Sequence, residues 1–288
     1  MLFDVVHSTS YRYTDAAMEA YLEARLTPPT RPTQQILAHR IEFLPGARAS
    51  DYTDYFGNLT TFYSMTLRHP KLQVVNHLTV RTASYRLPAG GLAPSVAEAR
   101  QILGSAGPVI FDYLQPTPTV PLGGQSAGWA REFIRPHLPL GDCLERLNSA
   151  IFTGFKYRSG STEVDTPLDQ LWERREGVCQ DFAHVMLSVL RTAGIPCRYV
   201  CGYIETEPAP GAALIGAVAT HAWVEVLVPG MEWVALDPTN NKWQGEQHIV
   251  VAVGRDYLDA TPVKGTFKGS SSQKMKVRVT MRRIPEKP

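Results

Sequence analysis

Cysteine, histidine and aspartate stand in three separate segments of this chain, each at a place where its side chain could do chemistry. Cys179 lies in Glu176-Gly177-Val178-Cys179-Gln180-Asp181-Phe182-Ala183-His184. From it Phe182, Met186, Val189, Leu190 and Ala193 recur at helical spacing until Gly194 and Pro196 stop the helix, while Gln180, His184, Ser188 and Arg191 mark the opposite, polar face. The thiol thus sits in a first helical turn, on the stripe that faces the rest of the protein. Unpaired N–H groups and the helix dipole at that end favour the anionic sulfur, and the thiolate is the nucleophile. Gly177 lets the chain approach closely before the helix begins. A buried cysteine taken alone is more often inert packing, so the reading needs a base.

Thr220-His221-Ala222-Trp223-Val224-Glu225-Val226 offers one. Ala222, Val224, Val226 and Val228 make the apolar face of a strand, and His221, Trp223 and Glu225 point the other way. Glu232-Trp233-Val234-Ala235-Leu236-Asp237-Pro238-Thr239 follows after Pro229-Gly230, as the antiparallel partner, with Asp237 at its end to orient the histidine. Parity constrains this pair. A four-residue loop from Pro229 to Glu232 sets Asp237 against Val224, on the wrong side from His221, whereas a three- or five-residue loop or one bulge restores a common face. An irregular register is therefore expected in this hairpin.

Other candidates weigh less. Gly124-Gln125-Ser126-Ala127-Gly128 matches a serine-hydrolase elbow, but Pro116, Pro118 and Pro121 interrupt the strand it needs. Cys197 and Cys201, with His221 not far beyond, lack a fourth ligand at zinc spacing, and both cysteines read as packing residues. Asp181 reads as an acid favoured by the helix dipole rather than as the partner of His221, and His184 and His248 as surface residues or residues behind the site. Asn58-Leu59-Thr60 is a glycosylation triplet in a turn of a chain read as unsecreted.

The elements that must position these groups fall into two parts. Runs at Phe3–Tyr13, Tyr21–Leu26, Leu37–Phe43 and Leu72–Thr82 read as strands, as do two aromatic arms around Gly57-Asn58, and together they suggest a β-sandwich-like domain. Residues 86–127, rich in Pro, Gly and Ala, read as a connection, followed by helices at Trp129–Ile134 and Cys143–Phe152. A final strand, Met275–Met281, could return to either part. The expected division is 1–120 for the β-rich region with its linker, 121–265 for the catalytic core and 266–288 for a C-terminal strand tail. Lysine and arginine number 29 against 27 acidic residues, a net charge of +2, which gives no broad basic surface for nucleic acid. No stretch is long and apolar enough to span a bilayer. The start Met1-Leu2-Phe3-Asp4 lacks the pattern of a signal peptide, and four cysteines are too few for a disulfide scaffold, so reduced thiols in a cytoplasm are expected.

Together the segments resemble the transglutaminase-like superfamily, whose papain-like core uses cysteine, histidine and aspartate in that chain order. The resemblance is carried by Gly177-Val178-Cys179-Gln180-Asp181-Phe182-Ala183, Leu190-Arg191-Thr192-Ala193-Gly194-Ile195-Pro196, Gly202-Tyr203, His221-Ala222-Trp223-Val224-Glu225 and Leu236-Asp237-Pro238-Thr239. The β-rich start and the stretch His248–Gly265 are similar to the flanking parts of bacterial members. The resemblance implies an α+β fold in which a helix carrying the nucleophile packs on an antiparallel sheet. It makes Cys179 the nucleophile, His221 the base and acid, and Asp237 the orienter. It further implies an oxyanion site built from the cysteine N–H and an upstream aromatic donor, here Tyr157, where animal transglutaminases place a tryptophan. Trp223 and Tyr203 are the expected cleft residues. The implied reaction is hydrolysis of a peptide or protein amide through a thioester, which needs only water. Acyl transfer to an amine is the runner-up, and a non-catalytic binding module on the same fold the third reading. No metal or organic cofactor is implied.

Overall fold

The aromatic and β-branched residues near the N-terminus form long strands because alternate side chains have a buried face to fill. In chain order these are β1 (Leu2–Ala17), β2 (Glu19–Thr27), β3 (Gln34–Leu44), β4 (Arg48–Thr53), β5 (Leu59–Met65) and β6 (His69–Thr82). The computed structural model describes the chain except residues 207–213, 217–218, 270–271 and 286–288 and the side chain of Val109. β1, β6 and β3 make one antiparallel sheet and β2, β5 and β4 another, with Tyr11, Tyr13, Leu22, Leu26, Tyr63 and Leu72 packed together between them. Two details differ from the sequence reading. A bulge between Ile36 and Ala38 shifts the alternation of β3 by one, so Ile36 packs inward and Leu37 is exposed. In the β4–β5 hairpin Thr53 pairs with Leu59, which leaves Tyr55 and Phe56 in the connection. Asp54 holds that turn by accepting from the N–H groups of Phe56 and Asn58.

The stretch read as a bare connection contains helices. α1 (Ala89–Leu92) precedes α2 (Val96–Gly104), and 3-10 turns at Gly107–Ile110 and Asp112–Leu114 follow. α2 opens on a capping box in which Ser95 Oγ accepts from Glu98 N and the Glu98 carboxylate accepts from Ser95 N, a signature present in Ser95-Val96-Ala97-Glu98. Then come α3 (Gly124–Phe133), α4 (Leu140–Gly154), β7 (Lys156–Tyr157), α5 (Leu168–Arg174), β8 (Glu176–Gly177) and α6 (Cys179–Thr192). β9 (Cys197–Ile204), β10 (His221–Val228), β11 (Glu232–Asp237), β12 (Lys242–Trp243) and β13 (His248–Gly254) build an antiparallel sheet in the order β12-β11-β10-β9-β13.

α6 packs on one face of this sheet, over Ala222, Val224, Val226, Val234 and Leu236, with α3, α4 and α5 around it. The other face carries Trp223, Ala235, Val250 and Val253 and meets Phe56 of the N-terminal region. The chain then turns back: β14 (Val263–Lys268) pairs with β2, and β15 (Gln273–Arg283) pairs with β1. The last two strands therefore complete the N-terminal sheets, one each. The fold is α+β, a sheet-rich N-terminal region beside a helix-on-sheet core.

Candidate active site

Cys179 is the first residue of α6. Asp181 folds back over that turn and accepts from Val178 N at 2.7 Å and from Thr162 Oγ1 at 2.6 Å, so it caps the helix, as the dipole reading expects. Gly177 makes room for it: a Cβ there would lie 2.6 Å from Asp181 Oδ2 and 2.8 Å from Asp181 Cβ. The short parallel pair β7–β8 sets Tyr157 opposite Gly177 and so beside the helix start. Burial, helped by the neighbouring Cys179, pushes the Tyr157 phenol up to about 12, which keeps it a proton donor at neutral pH.

The β10–β11 hairpin closes with three residues, Pro229–Met231, between the paired Val228 and Glu232. Gly230 and Met231 both take positive φ, 95° and 62°. Val224 then pairs with Leu236, which brings Asp237 to the face of Trp223 and His221. The expected departure from a four-residue loop is found. His221 Nε2 lies 2.8 Å from Asp237 Oδ2, and both side chains are fully buried. Asp237 also accepts from Thr239 N at 3.0 Å, Asn240 N at 3.2 Å and Asn240 Nδ2 at 2.7 Å. Burial would raise its carboxyl, but His221 and, after it, His248 of β13 hold it well below the usual carboxylate range. Burial likewise disfavours the charged His221 ring, and the carboxylate of Asp237 together with Cys179 outweighs it, pushing the imidazole up to about 10. With Nε2–H directed at the carboxylate, Nδ1 is left buried without a hydrogen-bond partner of regular geometry. The Cys179 thiol is the group from α6 that acts on this ring. Gly216, at φ 90°, passes over the same spot, where a Cβ would lie 2.9 Å from Nδ1 and 3.5 Å from the Tyr157 hydroxyl.

Some expectations are corrected. Trp223 and Tyr203, read as cleft residues, are fully buried. Trp223 fills the layer between the core sheet and the N-terminal region, and Tyr203 donates or accepts at 2.9 Å with His7 of β1. The second layer over the sheet covers what would otherwise be a cleft wall. Trp172 is core, with Arg175 over its ring at 5.0 Å. The polar face of α6 is covered rather than solvated: Ser188 bonds Ser126 and the Pro121 carbonyl, Arg191 donates to carbonyls of Gln115, Cys197 and Arg255, and His184 accepts from Tyr257 N. Segments on either side of the core supply these acceptors, which periodicity within α6 does not reveal. Ser126 lies inside α3 and is buried against Ser188, so it forms no elbow. Cys197 and Cys201 are buried in β9. The Asn58 amide is buried and bonded to Val253, which closes the glycosylation triplet to solvent.

His248, read as a surface residue or one behind the site, lies behind it. It is fully buried at the start of β13, and its Nε2 lies 3.2 Å from Asp237 Oδ2. A lone polar residue opening the apolar run Ile249-Val250-Val251 is the signal that could have found it. A cavity of about 530 Å³ lies elsewhere, on the far side of the sheet, where Arg31, Tyr85, Arg198, Glu225 and Trp233 are among its walls and none of the three site residues is.

Residues 127–238 match the transglutaminase-like superfamily and residues 3–81 the bacterial transglutaminase-like N-terminal region. The chain belongs to the transglutaminase-like superfamily. An uncharacterised protein of Mycobacterium leprae is 36% identical to this superfamily member over 97% of this chain and 98% of its own length. Protein-glutamine gamma-glutamyltransferase of Pseudomonas aeruginosa is 36% identical over 36% of this chain and 16% of its own. Among solved structures, a candidate cysteine protease from Cytophaga hutchinsonii superposes with a TM-score of 0.75 at 20% identity, covering 100% of this chain and 93% of that one. That likeness shows a shared fold over the whole chain. Among the described residues no helix is long and apolar enough to cross a membrane.

Proposed function

We propose that the protein is a cysteine-dependent amide hydrolase, a peptidase or amidohydrolase, acting through Cys179, His221 and Asp237. The observation that carries this reading is the buried 2.8 Å contact between His221 Nε2 and Asp237 Oδ2, which leaves Nδ1 to hold the proton shared with the Cys179 thiol. In the proposed reaction the Cys179 proton already rests on Nδ1 of the His221 imidazolium, and the thiolate sulfur attacks the amide carbon. The developing oxyanion is met by donors at the start of α6 and by the Tyr157 hydroxyl. The imidazolium then protonates the leaving amine as the C–N bond breaks, giving a thioester. Water, deprotonated by His221, attacks that thioester, and the acid product leaves with the thiol restored. The substrate is a peptide or protein amide, and the setting a reducing bacterial cytoplasm, which the four free cysteines support.

Acyl transfer to an amine is the second reading, favoured by the local likeness to a glutamine gamma-glutamyltransferase. Both readings share the thioester and differ in what resolves it. A peptide-amide library incubated with and without a primary amine tests them, with Cys179→Ala as control. Hydrolysed product unaffected by amine supports the proposal, and amine incorporation supports the second reading. If neither product exceeds that of the control, and all four cysteines react equally with iodoacetamide, the fold serves as a binding module instead.

A further inference from the structure

His248 touches the site but has no part in the chemistry just described. Asp237 ends β11 and His248 opens β13, with β10 and β9 between their strands. They meet because Gly202 of β9 leaves the intervening space empty. A Cβ at Gly202 would lie 2.3 Å from the Trp223 ring and 2.2 Å from the Ile249 carbonyl. The indole occupies that gap, and the His248 ring stands edge-on to it with centroids 5.3 Å apart. The backbone N–H of Gly245 points at His248 Nδ1 from 3.4 Å, so Nδ1 is the accepting nitrogen and Nε2 carries the proton.

We propose that His248 is a positioning residue whose neutral Nε2–H, donated to Asp237 Oδ2, fixes the carboxylate under His221 and takes up part of the negative charge that His221 would otherwise meet. The proposal rests on the Cys179–His221–Asp237 reading. Two imidazoles then share one carboxylate oxygen in unequal roles, one donor constant and the other gaining and losing charge. The groups that bear on His248 are consistent with its staying neutral. Burial pushes it below the usual histidine range, the carboxylate of Asp237 draws it up, and His221 of β10 and Lys242 of β12 push it down, with a lowered net result.

The test is the pH dependence of Cys179 alkylation by iodoacetamide, read by peptide mass mapping, for the wild type, His248→Gln, His248→Asn and His248→Leu. Glutamine can present an N–H near the place of Nε2, whereas asparagine keeps polarity but falls short of Asp237. The upper inflection of the profile reports loss of the His221 proton. It should move upward by half a pH unit or more in His248→Leu and His248→Asn and stay in place in His248→Gln. Because asparagine stays polar, it remains informative if the leucine variant does not fold. A profile unchanged in every folded variant overturns the proposal while leaving the triad intact. If wild-type Cys179 reacts no faster than the other three cysteines, the triad reading itself fails and the proposal falls with it.

Discussion

An imidazole set between a buried carboxylate and a thiol holds its proton far more firmly than one in water, and that has consequences at the scale of single residues. The His221 ring is pushed from 6.5 to about 10 in the folded protein. A group whose folded pKa is raised stabilises the fold fully below its unfolded value, and that contribution is lost as pH climbs to the folded one. The melting temperature should accordingly decline between pH 6.5 and about 10, and His221→Gln should flatten that decline. A melting temperature constant across this window in the wild type would contradict the ion-pair description. Asp237→Asn keeps the shape but can present a donor to Nε2, which favours the wrong tautomer. Turnover should fall on the order of a thousandfold with little change in KM, measured on the substrate from the library screen. The places of Cys179, His221 and Asp237 were legible from the sequence because each sits at the end of an element whose pattern is strong. For His248 the sequence left surface and a place behind the site both open, since its contact with Asp237 depends on a missing side chain at Gly202, two strands away from Asp237 in the sheet order.

At the scale of elements, the three-residue turn Pro229–Met231 decides whether a triad can exist. Because side chains alternate, one added residue there moves Asp237 to the face occupied by α6. A glycine inserted after Gly230 should abolish amide hydrolysis and the fast alkylation of Cys179 while leaving the circular dichroism spectrum close to that of the wild type. Retained activity would show that Asp237 is dispensable. The start of α6 is just as tightly specified. Gly177→Val drives a side chain into Asp181 and should cost about 2 kcal/mol in a denaturant titration, with slower turnover from a displaced Cys179. The sequence left the loop length of this hairpin open, and only the demand that His221 and Asp237 share a face pointed away from four residues. The burial of the polar face of α6 could not be read in advance. Its acceptors come from the segments around Gln115, Pro121 and Arg255, and no pattern inside the helix encodes them.

At the scale of the molecule, the N-terminal sheets are bound to the core by buried polar side chains as well as by apolar contact. Glu225 of β10 is fully buried and paired with Arg198 of β9 and with Arg31 from the N-terminal region. Arg31→Ala leaves that carboxylate one partner short and should lower stability by about 2 kcal/mol, seen as an earlier urea midpoint with an unchanged slope. β13 ends the core sheet, and its outer edge is gripped by two amides. Gln34 bonds both the N–H and the carbonyl of Val250 at 2.8 Å, and Asn58 does the same to Val253 at 2.8 Å. Each amide imitates one rung of a neighbouring strand without supplying the strand. A core cut free of its companion would therefore present a bare, valine-rich ribbon ready to zip onto another copy of itself. Anyone trimming this chain to its core should expect precipitate in the tube.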